Sequence, residues 1–344
     1  MKLLICTQKV DKNDSVLGFF HRWIEEFAKH CEMVTVICLE KGEYSLPNNV
    51  KVLSLGKEHG VSRLKYLFCF YTYIWKYRKE YDKVFVHMNP EYVVLGGLFW
   101  RLLKKKIALW YMHKSVNLKL RIAERLVHNI FTGTKESFRL KTNKLHITGH
   151  GIDTAAFSFS PKVVDKENLR FICVARFSPV KHTEDAVEFA GLLDKNGIGF
   201  EMTLIGTVLD EAYVNRLKSR VEELHLGKKV FFQKEVPPDQ VQCYLAQNNI
   251  FIHTGNTGSL DKTVLEAMAS GLYVFSANDA SKNLLRTIGL GDFCYRLGDG
   301  KDLYGAFSKV LGRMFDQGVL KKQRVLVEKG HDLSRLVDVI LRTI

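Results

Sequence analysis

Apolar residues along this chain come in short runs of five or six, separated by longer stretches with helical spacing. KLLICT (2–7), MVTVIC (33–38), KVLSL (51–55), KVFVH (83–87), KIALWY (106–111) and HNIFTG (128–133) read as strands. A polar loop follows the first run and reaches Gly18. FFHRWIEEFAKHC comes next, and it and a tyrosine-rich segment at about 62–79 repeat their apolar positions every three or four residues, as helices do. Strand and helix alternating at this pitch predict a parallel sheet with helices on both faces.

The rhythm pauses over GHGIDTAAFSFSPKVVDKEN (149–168), which is rich in Gly, Ser and Asp and weakly periodic. It restarts with LRFICVA (169–175), FEMTLIG (200–206), KVFFQ (229–233), NIFIHTG (249–255) and LYVFS (272–276), with helical stretches between them. This predicts a second α/β domain. The division expected is an N-terminal domain over 1–155, a C-terminal domain over 156–328 and a closing helix over 329–344. In that helix Leu333, Leu336, Val337, Val339, Ile340 and Ile344 form one apolar stripe. Two doubly wound domains bind ligands at the carboxyl ends of their strands, so the cleft between them is the expected site.

Composition narrows the class. With 344 residues and 46% hydrophobic content the chain can build two cores. No stretch approaches the ~18 uninterrupted apolar residues of a membrane span. The opening MKLLICTQKVDKND lacks a small-residue cleavage site and reads as a first strand, not a leader. Seven cysteines (6, 31, 38, 69, 173, 243, 294), none in C-x-x-C, suit buried thiols in a reducing cytosol.

Charge is distributed unevenly. Residues 1–160 hold 26 Lys and Arg against 14 Asp and Glu, and residues 101–144 hold 12 against 2. An excess this large in one half points to an anionic partner. The basic residues lie among amphipathic helices, with no nucleic-acid module, zinc ligands or aromatic platform, so nucleic acid is not expected. A membrane surface or a lipid phosphate fits better.

Candidate chemistry follows the strands of the second half. In VARFSPVKH (174–182), Arg176 and Lys181 flank a Pro179 turn just before a helix predicted from about Thr183. Two cations at a helix N-terminus make an anion site, with Arg suited to bidentate contacts and Lys a mobile point charge. In TGSLDKTVLEAMASG (257–271) a helix is predicted from Lys262 or Thr263. The amides of Val264 and Leu265 then fall among its first-turn donors, suited to a second phosphate. Glu266, one position on, is placed to accept from two ribose hydroxyls.

The pieces R-x4-K in VARFSPVK, LIG at 204–206, HGID at 150–153, LEAMASG at 265–271 and the strand-end histidine of WYMH stand in the order and spacing of one family. The chain resembles the retaining family 4 glycosyltransferases of group 1, over essentially its whole length. That resemblance implies the GT-B fold, with two facing Rossmann-like doubly wound domains and an interdomain cleft, the last helix crossing back to the N-terminal domain. It implies a UDP- or GDP-linked sugar donor held by the C-terminal domain, a glycan or lipid-linked acceptor held by the N-terminal one, and no required metal or other cofactor. Arg176, Lys181 and His113 take the catalytic positions. Gly18, Gly151, Gly206, Gly258, Ser259, Asp261, Val264, Leu265 and Glu266 take the donor-binding ones. The expected enzyme is cytoplasmic, peripheral to the inner face of a membrane through its basic first domain, and builds surface polysaccharide or glycolipid. An epimerase or phosphorylase of similar fold, and a non-catalytic nucleotide-sugar-binding subunit, are the competing expectations.

The sequence departs from the family pattern at three places. Gly258 stands where the family has a Glu on the donor sugar, and Asp261 is the expected substitute. His150 stands for an Asn, and Lys234 for a Gly. The nucleotide and the sugar are left open by these departures.

Overall fold

In the computed structural model the chain divides into two compact units, Met1–Asp153 with His331–Ile344, and Thr154–Gly330. The structure describes residues 1–344 except Lys162, Val163, Asp165, Lys166, Asn168, Asn256 and Thr257. Part of the 149–168 connection and the first residue of the 257–271 segment therefore lie outside the described residues.

The first unit runs β1 (Lys2–Val10), α1 (Phe19–His30), β2 (Met33–Lys41), β3 (Val50–Ser54), α2 (Arg63–Lys76), β4 (Lys83–His87), α3 (Pro90–Leu102), β5 (Lys106–Trp110), α4 (Leu118–Leu126), β6 (Asn129–Thr132) and β7 (Leu145–Ile147). These strands form one parallel sheet in the order β3-β2-β1-β4-β5-β6-β7. Leu3, Leu4, Ile5 and Cys6 of β1 are all fully buried, which a central strand covered on both faces requires. On one face Phe20, Trp23, Ile24 and Phe27 of α1, spaced i, i+3, i+4, i+7, pack with Leu333, Leu336, Val337 and Ile340 of the closing helix, Leu333–Thr343. A strand is present at Leu145–Ile147 that the apolar pattern does not single out: Leu145 and His146 are only partly buried and Ile147 is exposed.

The second unit runs β8 (Leu169–Val174), α5 (Glu184–Lys195), β9 (Phe200–Gly206), α6 (Glu211–Glu223), β10 (Val230–Lys234), α7 (Pro238–Gln247), β11 (Ile250–His253), α8 (Lys262–Ser270), β12 (Tyr273–Ser276), α9 (Asp279–Thr287), α10 (Gly300–Val310) and α11 (Gln317–Gly330). Its five strands are parallel in the order β10-β9-β8-β11-β12. Gly271, at φ +87°, ends α8 in the left-handed cap that glycine favours. Arg324 of α11 ties that end down by donating to the Ala269 carbonyl at 2.8 Å and to those of Phe157 and Thr154 at 2.6 and 2.9 Å.

The cysteines are all free thiols, and one expectation about them is corrected. Cys6, Cys31, Cys38 and Cys173 are buried, but Cys243 of α7 is exposed. No helix among the described residues is long and apolar enough to cross a membrane.

Candidate functional site

The carboxyl ends of β8, β11 and β12 carry the chemistry of the second unit. Beyond β8 the chain turns through Arg176, extending the ladder to β9 as Ala175 and Phe177 donate to the carbonyls of Ile205 and Thr207 at 2.9 and 2.8 Å. Gly206 makes this turn fit, since a Cβ there would lie 1.7 Å from the Ala175 carbonyl oxygen. Its glycine is thus explained by close backbone approach. Arg176 is exposed and has no hydrogen-bond or ion-pair partner among the described residues.

Lys181 ends a short turn, Pro179–Lys181, ahead of α5, and the expectation of a mobile charge is corrected here. Its side chain is buried and its Nζ lies 2.7 Å from Asp261 Oδ2. The stem lies along Gly255, where a Cβ would come within 2.6 Å of the Lys181 Cδ. Thr254 fixes the backbone by donating its hydroxyl to the Lys181 carbonyl at 2.5 Å.

Asp261 caps the backbone of α8, yet its carboxylate makes no cap bond with the helix. Oδ2 instead takes both Lys181 and, at 2.8 Å, Nε2 of the buried His253. His253 Nδ1 lies 3.1 Å from the Ser276 hydroxyl, which itself accepts from the Asn278 amide at 3.2 Å. The contacts are met when the Ser276 hydroxyl donates to Nδ1 and Nε2–H donates to Asp261. Burial alone would raise the Asp261 carboxyl, but His253 and then Lys181 outweigh it and hold it well below the usual carboxylate range. The substitute role expected of Asp261 on a donor sugar therefore meets a carboxylate already shared between two internal partners. His253 itself is absent from the residues expected from sequence; its signal is a histidine closing an apolar strand, followed by Thr254-Gly255.

The loop before α8 is pinned. Asn278 donates its side-chain amide to the Ser259 carbonyl at 3.1 Å, and its Oδ1 caps α9 at the Ser281 amide. Gly258 has φ +77°, so the backbone itself calls for glycine where the family has a Glu. The first-turn donors are also corrected. The Val264 N–H is engaged with the Asp261 carbonyl at 3.3 Å. With Asp261 as cap, Leu265 stands at the first position paired within the helix, and both side chains are fully buried. Glu266 and Lys262 share one face of α8 at i, i+4. Burial raises the Glu266 carboxyl against the opposing pull of Lys262, and burial lowers the Lys262 ammonium.

In the first unit His113 lies three residues past β5, exposed at the surface. Its Nδ1 accepts from the Ser115 amide at 3.1 Å and lies 2.7 Å from the Ser115 hydroxyl, so in the neutral ring the proton sits on Nε2, available as a donor. Gly18 has ordinary helical angles, and its N–H is taken by the Asp14 carbonyl at 2.9 Å. What it offers a ligand is the missing side chain alone. Gly151 is a correction: at φ +67° its Cβ would lie 2.5 Å from Trp23, whose indole donates to the Gly151 carbonyl at 3.2 Å. It is a packing glycine of the first core.

Residues 155–293 match the family model described as glycosyl transferases group 1. Over 156 residues the chain is 24% identical to the putative colanic acid biosynthesis glycosyltransferase WcaL of Escherichia coli K12, covering 44% of this chain and 38% of that one. Over 121 residues it is 30% identical to the human GDP-Man:Man(3)GlcNAc(2)-PP-Dol alpha-1,2-mannosyltransferase, covering 33% and 25%. The chain thus spans well under half the length of these relatives. The crystal structure of Anabaena Alr3699/HepE in complex with UDP is similar over 100% of this chain and 99% of that one, with a TM-score of 0.77 at 17% identity. The second unit is thus similar to the glycosyl transferases group 1 over residues 155–293, and the two parallel α/β units share the GT-B fold.

Proposed function

We propose that the chain is a retaining, metal-independent hexosyltransferase that moves a sugar from a UDP- or GDP-linked donor to a hydroxyl of a glycan or lipid-linked acceptor, in surface polysaccharide or glycolipid synthesis. The single observation that carries this is the chain leaving β8, where an exposed Arg176, unpartnered among the described residues, precedes by five residues a buried lysine whose charge is held by a carboxylate. A donor diphosphate supplies the anion that Arg176 lacks, and it competes with Asp261 for Lys181. When it wins, Asp261 keeps its hydrogen bond from His253 and is not left bare. Glu266 is assigned to the ribose and His113 Nε2–H to the donor sugar. In the transfer the bond from the anomeric carbon to the leaving phosphate breaks while a bond to the acceptor oxygen forms on the same face. The acceptor's proton passes to the leaving phosphate oxygen. The protein's share is positioning and stabilising the departing charge. The enzyme is assigned to the cytoplasmic face of an anionic membrane, reached through the basic first unit.

The test is release of UDP or GDP from a panel of nucleotide hexoses with glycan and lipid-linked acceptors, with the anomeric configuration of the product read by NMR. Release with retained configuration is expected. Nucleotide binding with no release from any donor would favour a non-catalytic binding subunit, to which the Asp261-bound Lys181 lends some weight. A changed sugar still linked to nucleotide would favour an epimerase.

A further inference from the structure

A recess of about 510 Å³ opens in the first unit at the carboxyl ends of its central strands. It lies where the strand order reverses, between β1 and β4, the place where open α/β sheets hold ligands. Gln8 of β1, Leu39 of β2, Leu55 just past β3 and Asn89 just past β4 line it from the sheet side. Phe70 of α2 and Leu95 of α3 line it from the helices, and the lining is mostly apolar. Two charged residues border it. Glu91 is held by Lys119 at 2.8 Å, whereas Arg63 has no hydrogen-bond or ion-pair partner among the described residues.

The apolar surface continues out of the recess. Leu64, Leu67, Phe68, Tyr71 and Trp75 follow one another at i, i+3, i+4, i+7, i+11 along α2, all exposed, while Phe70 and Ile74 bury the other side of the helix. The row joins α3 where Tyr71 donates to the Leu95 carbonyl at 3.1 Å and Trp75 packs on Phe99 with ring centroids 5.8 Å apart. Exposed Leu98 and Leu102 extend it. Single exposed leucines need no explanation, but a continuous row leading from the mouth of an apolar recess does.

We infer that recess and row together hold an anionic amphiphile, its hydrocarbon in the recess and along α2 and its phosphate on Arg63. This rests on the transferase reading and names the acceptor class, a lipid phosphate and not a free glycan. The unpaired guanidinium selects the anion, the apolar lining selects the chain, and neither feature alone would distinguish a lipid phosphate from inorganic phosphate or from an alcohol.

The experiment uses the full chain without donor and reads tryptophan emission. Trp75 is 58% exposed while Trp23, Trp100 and Trp110 are at most 3% exposed, so a shift reports on the row. Decyl phosphate, below its micelle concentration, should shift the emission to the blue and saturate. Decanol should bind at least about tenfold more weakly, and inorganic phosphate should cause no shift. Arg63→Ala should bring decyl phosphate down to the affinity of decanol, and Phe68→Glu should weaken both. Both side chains are exposed, so folding is expected to survive, and a thermal melt checks it. Equal binding of decyl phosphate and decanol, or no effect of Arg63→Ala, would overturn the site. So would a concentration-dependent dimer that Phe68→Glu abolishes, which would assign the row to a second copy of the chain. Donor turnover plays no part in the assay: lipid binding without nucleotide release would remove the transferase reading and leave the site standing, and release without lipid binding would do the reverse.

Discussion

Lys181 and Asp261, eighty residues apart in the chain, meet at 2.7 Å at the carboxyl ends of two adjacent strands, with His253 on the same carboxylate oxygen at 2.8 Å. The pair keeps a cation ready in a place where it could not stay alone, since an unpaired buried ammonium is costly. Asp261→Asn should therefore destabilise the ligand-free second unit by about 2–4 kcal/mol. A nucleoside diphosphate should restore more stability to this variant than to the wild type, because it supplies the missing anion. Equal ligand-induced shifts in melting temperature for the two proteins would show that the lysine does not exchange partners. The same pair sets an acid limit. The depressed Asp261 carboxyl contributes stability above its ordinary pKa, and that contribution fades as pH falls below about 4 toward the folded value.

His113 is exposed and bonded only to Ser115, so a role in the core is ruled out for it. His113→Ala should leave the melting temperature unchanged and nucleotide affinity intact, yet lower transfer by about 10²-fold or more if its Nε2–H acts on the reacting sugar. Turnover equal to wild type at matched nucleotide saturation would remove it from the site.

If Glu266 holds the ribose, as proposed, its loss should bear on every donor alike, because the ribose is common to them. Glu266→Gln should weaken UDP and GDP, and all sugars linked to them, by a similar factor of about ten. A loss confined to one nucleotide or one sugar, measured by titration calorimetry across the panel, would place Glu266 elsewhere.

The fold was legible in the sequence because buried parallel strands are written as unbroken apolar runs, such as Leu3 to Cys6 and Ile250 to Ile252. Site residues were harder, because their meaning depends on neighbours distant in sequence. Nothing in SLDK announces that Asp261 abandons the helix it caps to meet a histidine eight residues back and a lysine eighty back. Glycines misled for the same reason: Gly151 and Gly206 look like ligand glycines until Trp23 and the Ala175 carbonyl are seen filling the space. Gly258 looked like a lost glutamate, and its positive φ gives the backbone reason. Arg176 and His113 stand out in the sequence as polar residues just past apolar strands, and both are exposed in the structure.

His331 offers a pH test independent of the site. It is buried beside His150, ring centroids 5.4 Å apart, and burial pushes it down to about 4 from 6.5. Between those values the unfolded chain takes up a proton that the folded one refuses, so stability falls as pH drops through this window. Between pH 7 and 5 the loss should be about 2 kcal/mol, and His331→Gln should remove it. A fall in denaturant midpoint between pH 7 and pH 5 as large in His331→Gln as in the wild type would refute the assignment.

The central claim, that the end of β8 binds a donor diphosphate, is tested most directly by calorimetric titration of UDP and GDP into the wild type, Arg176→Ala and Lys181→Ala. Arg176 is exposed, so its loss should spare folding while weakening the preferred nucleotide by about 1.5–3 kcal/mol, roughly ten- to a hundredfold. Lys181→Ala should weaken it comparably. Wild-type affinity for the nucleotide in a folded Arg176→Ala protein would contradict the account.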